Sequence, residues 1–161
     1  MFRGMTDGIS PEAADPSTQG SPDQGSPEGA PADTRQLGRR LIDALGRGWS
    51  RGRPDDVAVL FADEAVFVET PFSEATRGRE AIHQWWREVP YNQSEITFTS
   101  GEIYAAGPWF SCEFKCVFRR RRTGEWVDAR GAIFCETDGE RITEMRMYWH
   151  RWNGGRETSK A

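Results

Sequence analysis

At 161 residues, with 21 Lys and Arg against 25 Asp and Glu, the chain has room for one domain of ordinary size and carries a formal net charge of −4. The acidity is concentrated in residues 1–34, where six acids face one Arg, so residues 35–161 carry about +1 and the overall charge says little about partners of the folded part. Three Cys without a Cys-x-x-Cys pair and two scattered His exclude a disulfide framework and a recognisable metal site, and no apolar run approaches membrane-spanning length.

Residues 1–34 hold five of the nine prolines, five glycines, four serines and almost no large apolar side chains. Such a segment cannot bury enough surface to offset its ordering entropy, so it is expected to be a disordered, solvated tail. It also lacks the apolar core with basic flanks of a signal peptide. Asp33 or Thr34 can then cap a helix over residues 35–49, in which Leu37, Leu41, Ile42, Leu45 and Trp49 recur at three- and four-residue spacing. After a turn ending at Pro54, Asp55 starts a short helix with Val57, Leu60 and Phe61 inward. Residues 65–69 read as the first strand. Gly78 precedes a third helix over 79–89, with an apolar stripe of Ile82, Trp85, Trp86 and Val89.

Four strand-like runs follow, at 94–105, 109–120, 125–136 and 141–152, separated by Gly107-Pro108, Thr123-Gly124 and Asp138-Gly139. The order predicts an α+β domain over 35–153, with three N-terminal helices packed on one face of a curved antiparallel sheet, and a flexible C-terminus over 154–161. In the second run Phe110, Cys112, Phe114, Cys116 and Phe118 share one face; in the last, Met145, Met147 and Trp149 do. The opposite faces mix polar and aromatic residues, which points to a homodimer interface on the outer sheet face. The basic run 119–122 falls at a hairpin tip and lacks the wider basic face that nucleic-acid binding needs. All seven Trp lie in residues 35–161, enough aromatic surface for a large core or an apolar cavity. Reduced thiols in a cytoplasmic protein, with no nucleic-acid or membrane partner, complete the expectation.

The element order, with Leu60-Phe61-Ala62-Asp63-Glu64-Ala65, Gly78-Arg79-Glu80-Ala81-Ile82 and Arg141-Ile142-Thr143-Glu144-Met145-Arg146, resembles the nuclear transport factor 2-like superfamily. It is most similar to the SnoaL-like, ketosteroid isomerase-like and limonene epoxide hydrolase-like branch, over roughly residues 36–152. The resemblance implies a cone-shaped fold enclosing an apolar pocket, frequent homodimers through the outer sheet face, and cofactor-independent isomerases, cyclases and epoxide hydrolases among the members. Counting from Leu60-Phe61, Glu69 falls where the isomerases place a general-base Asp and the limonene hydrolases an Asn that holds water; counting back from Pro71 puts Thr70 there instead. Leu45 and Ala132 stand near the isomerase Tyr and protonated Asp, while Cys116, Phe114 and Met147 stand near the hydrolase Asp–Arg–Asp set. Neither named mechanism carries over in its usual form.

Glu69 is therefore either a surface acid that ends its strand or a carboxylate at the mouth of an apolar pocket, where desolvation raises its pKa and suits it to proton transfer. Asp128 and Arg130, two apart in one strand, share a face. Counted from Ala132 that face is the pocket side, where the pair could polarise a substrate oxygen. In the competing register Ala129, Gly131, Ile133 and Cys135 point inward, and Gly131 could mark a bulge that switches the facing. The expected ligand is a hydrophobic small molecule, with apolar walls from Trp49, Phe67, Trp86, Phe114, Phe118, Met145, Met147 and Trp149. No metal or cofactor is expected. His83 and His150, and the thiols Cys112 and Cys116, read as packing or surface groups rather than catalytic ones. A non-catalytic binding module of the same fold is the alternative reading.

Overall fold

Apolar spacing dictates the first element. Leu37, Leu41, Ile42, Leu45 and Trp49 lie on one stripe of α1, Pro31–Ser50, and all five are buried. The computed structural model describes residues 31–153, with side chains for 34–152. The expected tail over 1–34 thus lies outside the described residues up to residue 30, and the C-terminus 154–161 lies wholly outside them. Helix α1 starts four residues earlier than the caps suggested. Pro31 opens it, at a position where a missing N–H is tolerated and a fixed φ suits a helix. Thr34, an expected cap, instead donates its hydroxyl to the carbonyl of Gly107 at 3.0 Å.

The short helix α2, Pro54–Ala58, ends before Phe61, which opens strand β1, Phe61–Val68, rather than closing the helix. A two-residue strand, β2, Thr76–Arg77, precedes α3, Arg79–Arg87. Pro90 sits in the first turn of the separate short helix α4, Val89–Asn92, so the expected single helix over 79–89 is split. The run expected as one strand over 94–105 also divides, into β3, Gln93–Ser100, and β4, Tyr104–Ala106. Between them Ile103 turns into the core at 2% exposure. Strands β5, Trp109–Arg120, β6, Trp126–Thr137, and β7, Ile142–Asn153, complete the meander.

The sheet order is β2-β1-β7-β6-β5-β3, with β4 also paired to β5. The sheet is antiparallel as expected except at one seam, where β1 runs parallel to β7, with Phe67 opposite Met145 and Val68 opposite Arg146. This seam brings the end of β1 to the middle of β7. The helices cover the inner face of the sheet, and the core lies between them.

Close backbone approach shapes that core at two glycines. A Cβ on Gly46 of α1 would stand 2.5 Å from the Phe98 ring, so the glycine lets the helix lie directly on β3. Gly131 carries no bulge: Phe114, Gly131 and Trp149 form one continuous row across β5, β6 and β7. A Cβ there would meet the Tyr148 carbonyl and stand 2.6 Å from the Trp149 Cα, backbone that cannot swing away. Gly131→Ala is therefore expected to destabilise the fold by about 2–3 kcal/mol through overpacking. Urea denaturation measures this, and an unchanged midpoint would contradict the close approach.

Candidate active site

The inner face of β1 carries Ala65 and Phe67, each 1% exposed. Period-two alternation, carried one residue past the strand, would put Glu69 on this face and Thr70 on the other. The Thr70 hydroxyl instead meets that of Ser73 at 2.7 Å within the turn that follows. The indole N–H of Trp149, on the inner face of β7, donates to the Glu69 backbone carbonyl at 3.0 Å. Glu69 is half-buried, and this burial pushes its carboxyl above the usual 4.5.

Of the eight expected wall residues, Trp49, Phe67, Trp86, Phe114, Met145 and Met147 are buried on the inner side, while Phe118 and Trp149 are half-buried. Trp86 is the hub of an aromatic cluster. Its ring lies 5.2 Å from Trp49, 5.2 Å from Trp85 and 6.2 Å from Phe67. Trp85 also packs edge-on to Phe67 at 4.9 Å, and Phe98 stacks on Phe114 at 5.9 Å. Neither was among the expected walls. The α3 stripe already contained Trp85, and Phe98 is an apolar residue of the split strand. Leu45 is fully buried in α1, among apolar neighbours.

Asp128 and Arg130 are not brought to this place. Val127, Ala129, Ile133 and Cys135 are the buried residues of β6, so the competing register is the one adopted. Ala132, from which the pocket side was counted, faces outward between Glu113 and Tyr148. Four apolar side chains outweigh a register that would bury a carboxylate and a guanidinium. On the outer face Arg130 donates two hydrogen bonds to Asp128, at 3.0 and 2.8 Å, and Lys115 lies 3.5 Å from the same carboxylate. The bond from Arg130, aided by Lys115, holds the Asp128 carboxyl below its usual range.

Other candidate groups have structural partners. His83 meets Asp55 at 2.7 Å and pins α3 to α2, while His150 sits opposite Arg130 on the outer face. Burial pushes the Cys112 thiol up to about 11 and Cys116 up to about 12, so neither supplies a thiolate near neutral pH. The basic run is more than a solvated tip. Arg121 donates to the carbonyls of Pro90 at 2.7 Å and Gln93 at 3.1 Å, and Arg119 to that of Gly124 at 3.0 Å, which fastens the β5–β6 hairpin to α4. A groove of about 700 Å³ opens on the outer face beside Glu113, Lys115 and Arg130, and one of about 490 Å³ runs between α1 and β3 beside Arg39, Arg47 and Phe98. Glu69 lines neither.

Several solved structures share this fold. A ketosteroid isomerase-like protein from Catenulispora acidiphila, in complex with trimethylamine, is 22% identical over 67% of this chain and 83% of its own, with a TM-score of 0.62. An LEH-like epoxide hydrolase from M. tuberculosis is 18% identical over 74% and 84%, with a TM-score of 0.61. The epoxide hydrolase/cyclase-like enzyme SalBIII, described in pyran ring formation in the polyether salinomycin, is 16% identical over 73% and 94%, with a TM-score of 0.64. These likenesses show the fold. No curated protein matches the chain in sequence. The SnoaL-like domain family matches residues 39–145, well over half of the chain, so the chain belongs to that family.

Proposed function

We propose that the protein is a cofactor-independent enzyme acting on a hydrophobic small molecule, with Glu69 as its acid–base group. The carrying observation is a half-buried carboxyl one residue past β1, on a residue whose backbone carbonyl accepts from the Trp149 indole, with a pKa raised by burial. Such a group binds a proton firmly enough to take one from carbon beside a carbonyl, or from water attacking an epoxide, and to return it to a neighbouring atom. Isomerisation, cyclisation and epoxide opening all fit this chemistry, and the epoxide hydrolase and cyclase-like relatives support it by analogy. Asp128 and Arg130 have no part in it, because the sheet separates them from Glu69. The second reading, a non-catalytic binding module, is favoured by the apolar Leu45 and outward-facing Ala132 where related isomerases carry polar donors. A cytoplasmic location belongs to the same proposal, supported by three buried free thiols.

The outer face offers the partner surface. Phe134, Tyr148 and Trp152 are 42%, 44% and 57% exposed there, and Phe134 meets Tyr148 edge-on at 5.7 Å. We propose a homodimer through this face. Light scattering should give twice the chain mass for wild type and the chain mass for Tyr148→Glu. A monomeric wild type would remove the dimer.

Glu69→Gln tests the carboxyl directly on a panel of cyclic epoxides and β,γ-unsaturated cyclic ketones. Turnover should fall at least about a hundredfold while ligand binding persists. A variant as active as wild type would sink the role of Glu69, and equal binding without turnover in either protein would favour the binding module.

The same substitution has a stability signature with a definite sign. A carboxyl whose folded pKa lies above its unfolded value favours the folded state only while protonated. Wild type and Glu69→Gln should therefore match below pH 4.5, and wild type should lose stability relative to the variant as pH rises from there through the raised pKa. Denaturant midpoints across that range check this, and parallel curves would mean that Glu69 is solvated.

A further inference from the structure

Trp86 is 1% exposed, yet its indole nitrogen has no hydrogen-bond partner. The other buried side-chain atom without a partner among the described residues is Nε of Arg79, whose side chain is 30% exposed and pairs with Asp63. Two other inner-side tryptophans are satisfied, Trp49 by the Gln93 side-chain oxygen at 3.1 Å and Trp149 by the Glu69 carbonyl. A buried donor left unpaired costs about 1–3 kcal/mol, so an exception calls for a physical reason. Water is a poor one here. It needs two to four polar partners, and the rings around Trp86 are those of Trp49, Phe67 and Trp85.

The position of the donor supplies a reason. Phe67, 6.2 Å from Trp86, stands two residues before Glu69 on the same side of β1. Trp86 therefore packs against the aromatic residue two positions before Glu69. We infer that the Trp86 indole N–H donates a hydrogen bond to the bound ligand, and that the ligand presents an uncharged oxygen there, a carbonyl or epoxide oxygen. An anionic group would be brought among apolar rings and toward the Glu69 carboxyl, both unfavourable. This inference rests on the reading of Glu69 as a pocket group and narrows its substrate class. It also supplies a donor where Leu45 and Ala132 offer none. The competing partner is a ring face, since Trp49 and Trp85 stand at 79° and 76° to the Trp86 plane.

The probes are 2-acetylnaphthalene and its hydrocarbon counterpart 2-ethylnaphthalene, titrated into the full chain and followed in the indole region of a nitrogen–proton correlation spectrum. The Trp86 signal is identified by its loss in Trp86→Phe, which keeps an aromatic ring and removes the N–H. The ketone should move the Trp86 indole proton downfield and bind about tenfold more tightly than the hydrocarbon, the size of one neutral hydrogen bond. In Trp86→Phe the preference should fall to parity. If that variant does not fold, selective tryptophan labelling of wild type with the same probe pair still decides. Equal binding of the two probes with the indole proton unmoved would overturn the inference and leave the apolar pocket standing. An indole proton far upfield in the free protein and unmoved by the ketone would assign it to a ring face and overturn the inference as well. Failure of both probes to bind would overturn the pocket reading and the inference with it.

Discussion

Trp86 touches Trp49 from α1, Phe67 from β1 and Trp85 from its own helix, and this four-ring contact joins three elements that are far apart in sequence. Each such aromatic pair is worth about 0.5–1.5 kcal/mol beyond the area it buries. The geometric consequence matters more. With α3 fixed against β1 and β1 laid parallel to β7, the residue after β1 has one place to go, beside Trp149. The indole of Trp149 then holds the Glu69 carbonyl. Polar contacts at the rim, Arg79 with Asp63 and His83 with Asp55, keep the solvent side of α3 in register with that packing.

The second constraint is the strict separation of the two sheet faces. Across β5, β6 and β7 the rows alternate, with Phe114, Gly131 and Trp149 inward and Lys115, Arg130 and His150 outward. A shift of one residue would exchange every member of each row, so burial of Ala129, Ile133 and Cys135 forces Asp128 and Arg130 out together. The pairing of Asp128 with both Arg130 and Lys115 follows from that facing. It makes them part of an amphipathic outer surface, together with Phe134 and Tyr148.

What could be read in the amino-acid sequence is what depends on near neighbours. The α1 stripe, the alternation of β5 and the hairpin breaks at Gly107, Gly124 and Gly139 are local patterns, and each appears where its spacing puts it. The parallel seam is not local. It is locked by a bond from the Ile142 amide to the Leu60 carbonyl, and nothing near either residue announces the other. The same holds for Arg121, whose acceptors lie on Pro90 and Gln93. Glu69 could be singled out as an acid after an apolar run, but counting from Leu60-Phe61 and counting back from Pro71 choose between it and Thr70, and Phe61 reads as helix although it opens β1. Asp128 and Arg130 were ambiguous because a small residue, Ala132, was weighed against the larger apolar pattern around it.

An unpaired indole could not be read at all, since the apolar stripe of α3 describes Trp86 only as a hydrophobic residue. In the folded chain it packs against Phe67, two residues before a carboxyl that is also short of solvation. Both raise the free energy of the empty protein, and both could be removed by ordinary substitutions, Phe for the one and Gln for the other. Trp86 and the residue two after Phe67 are both at odds with the apolar core around them, and such a place is where a site is to be sought. Under the proposed function, burial favours the protonated form of the one group, while the other offers a proton it does not give up. An apolar molecule bearing a single neutral oxygen meets both requirements, and a purely hydrocarbon ligand would leave the indole as it is.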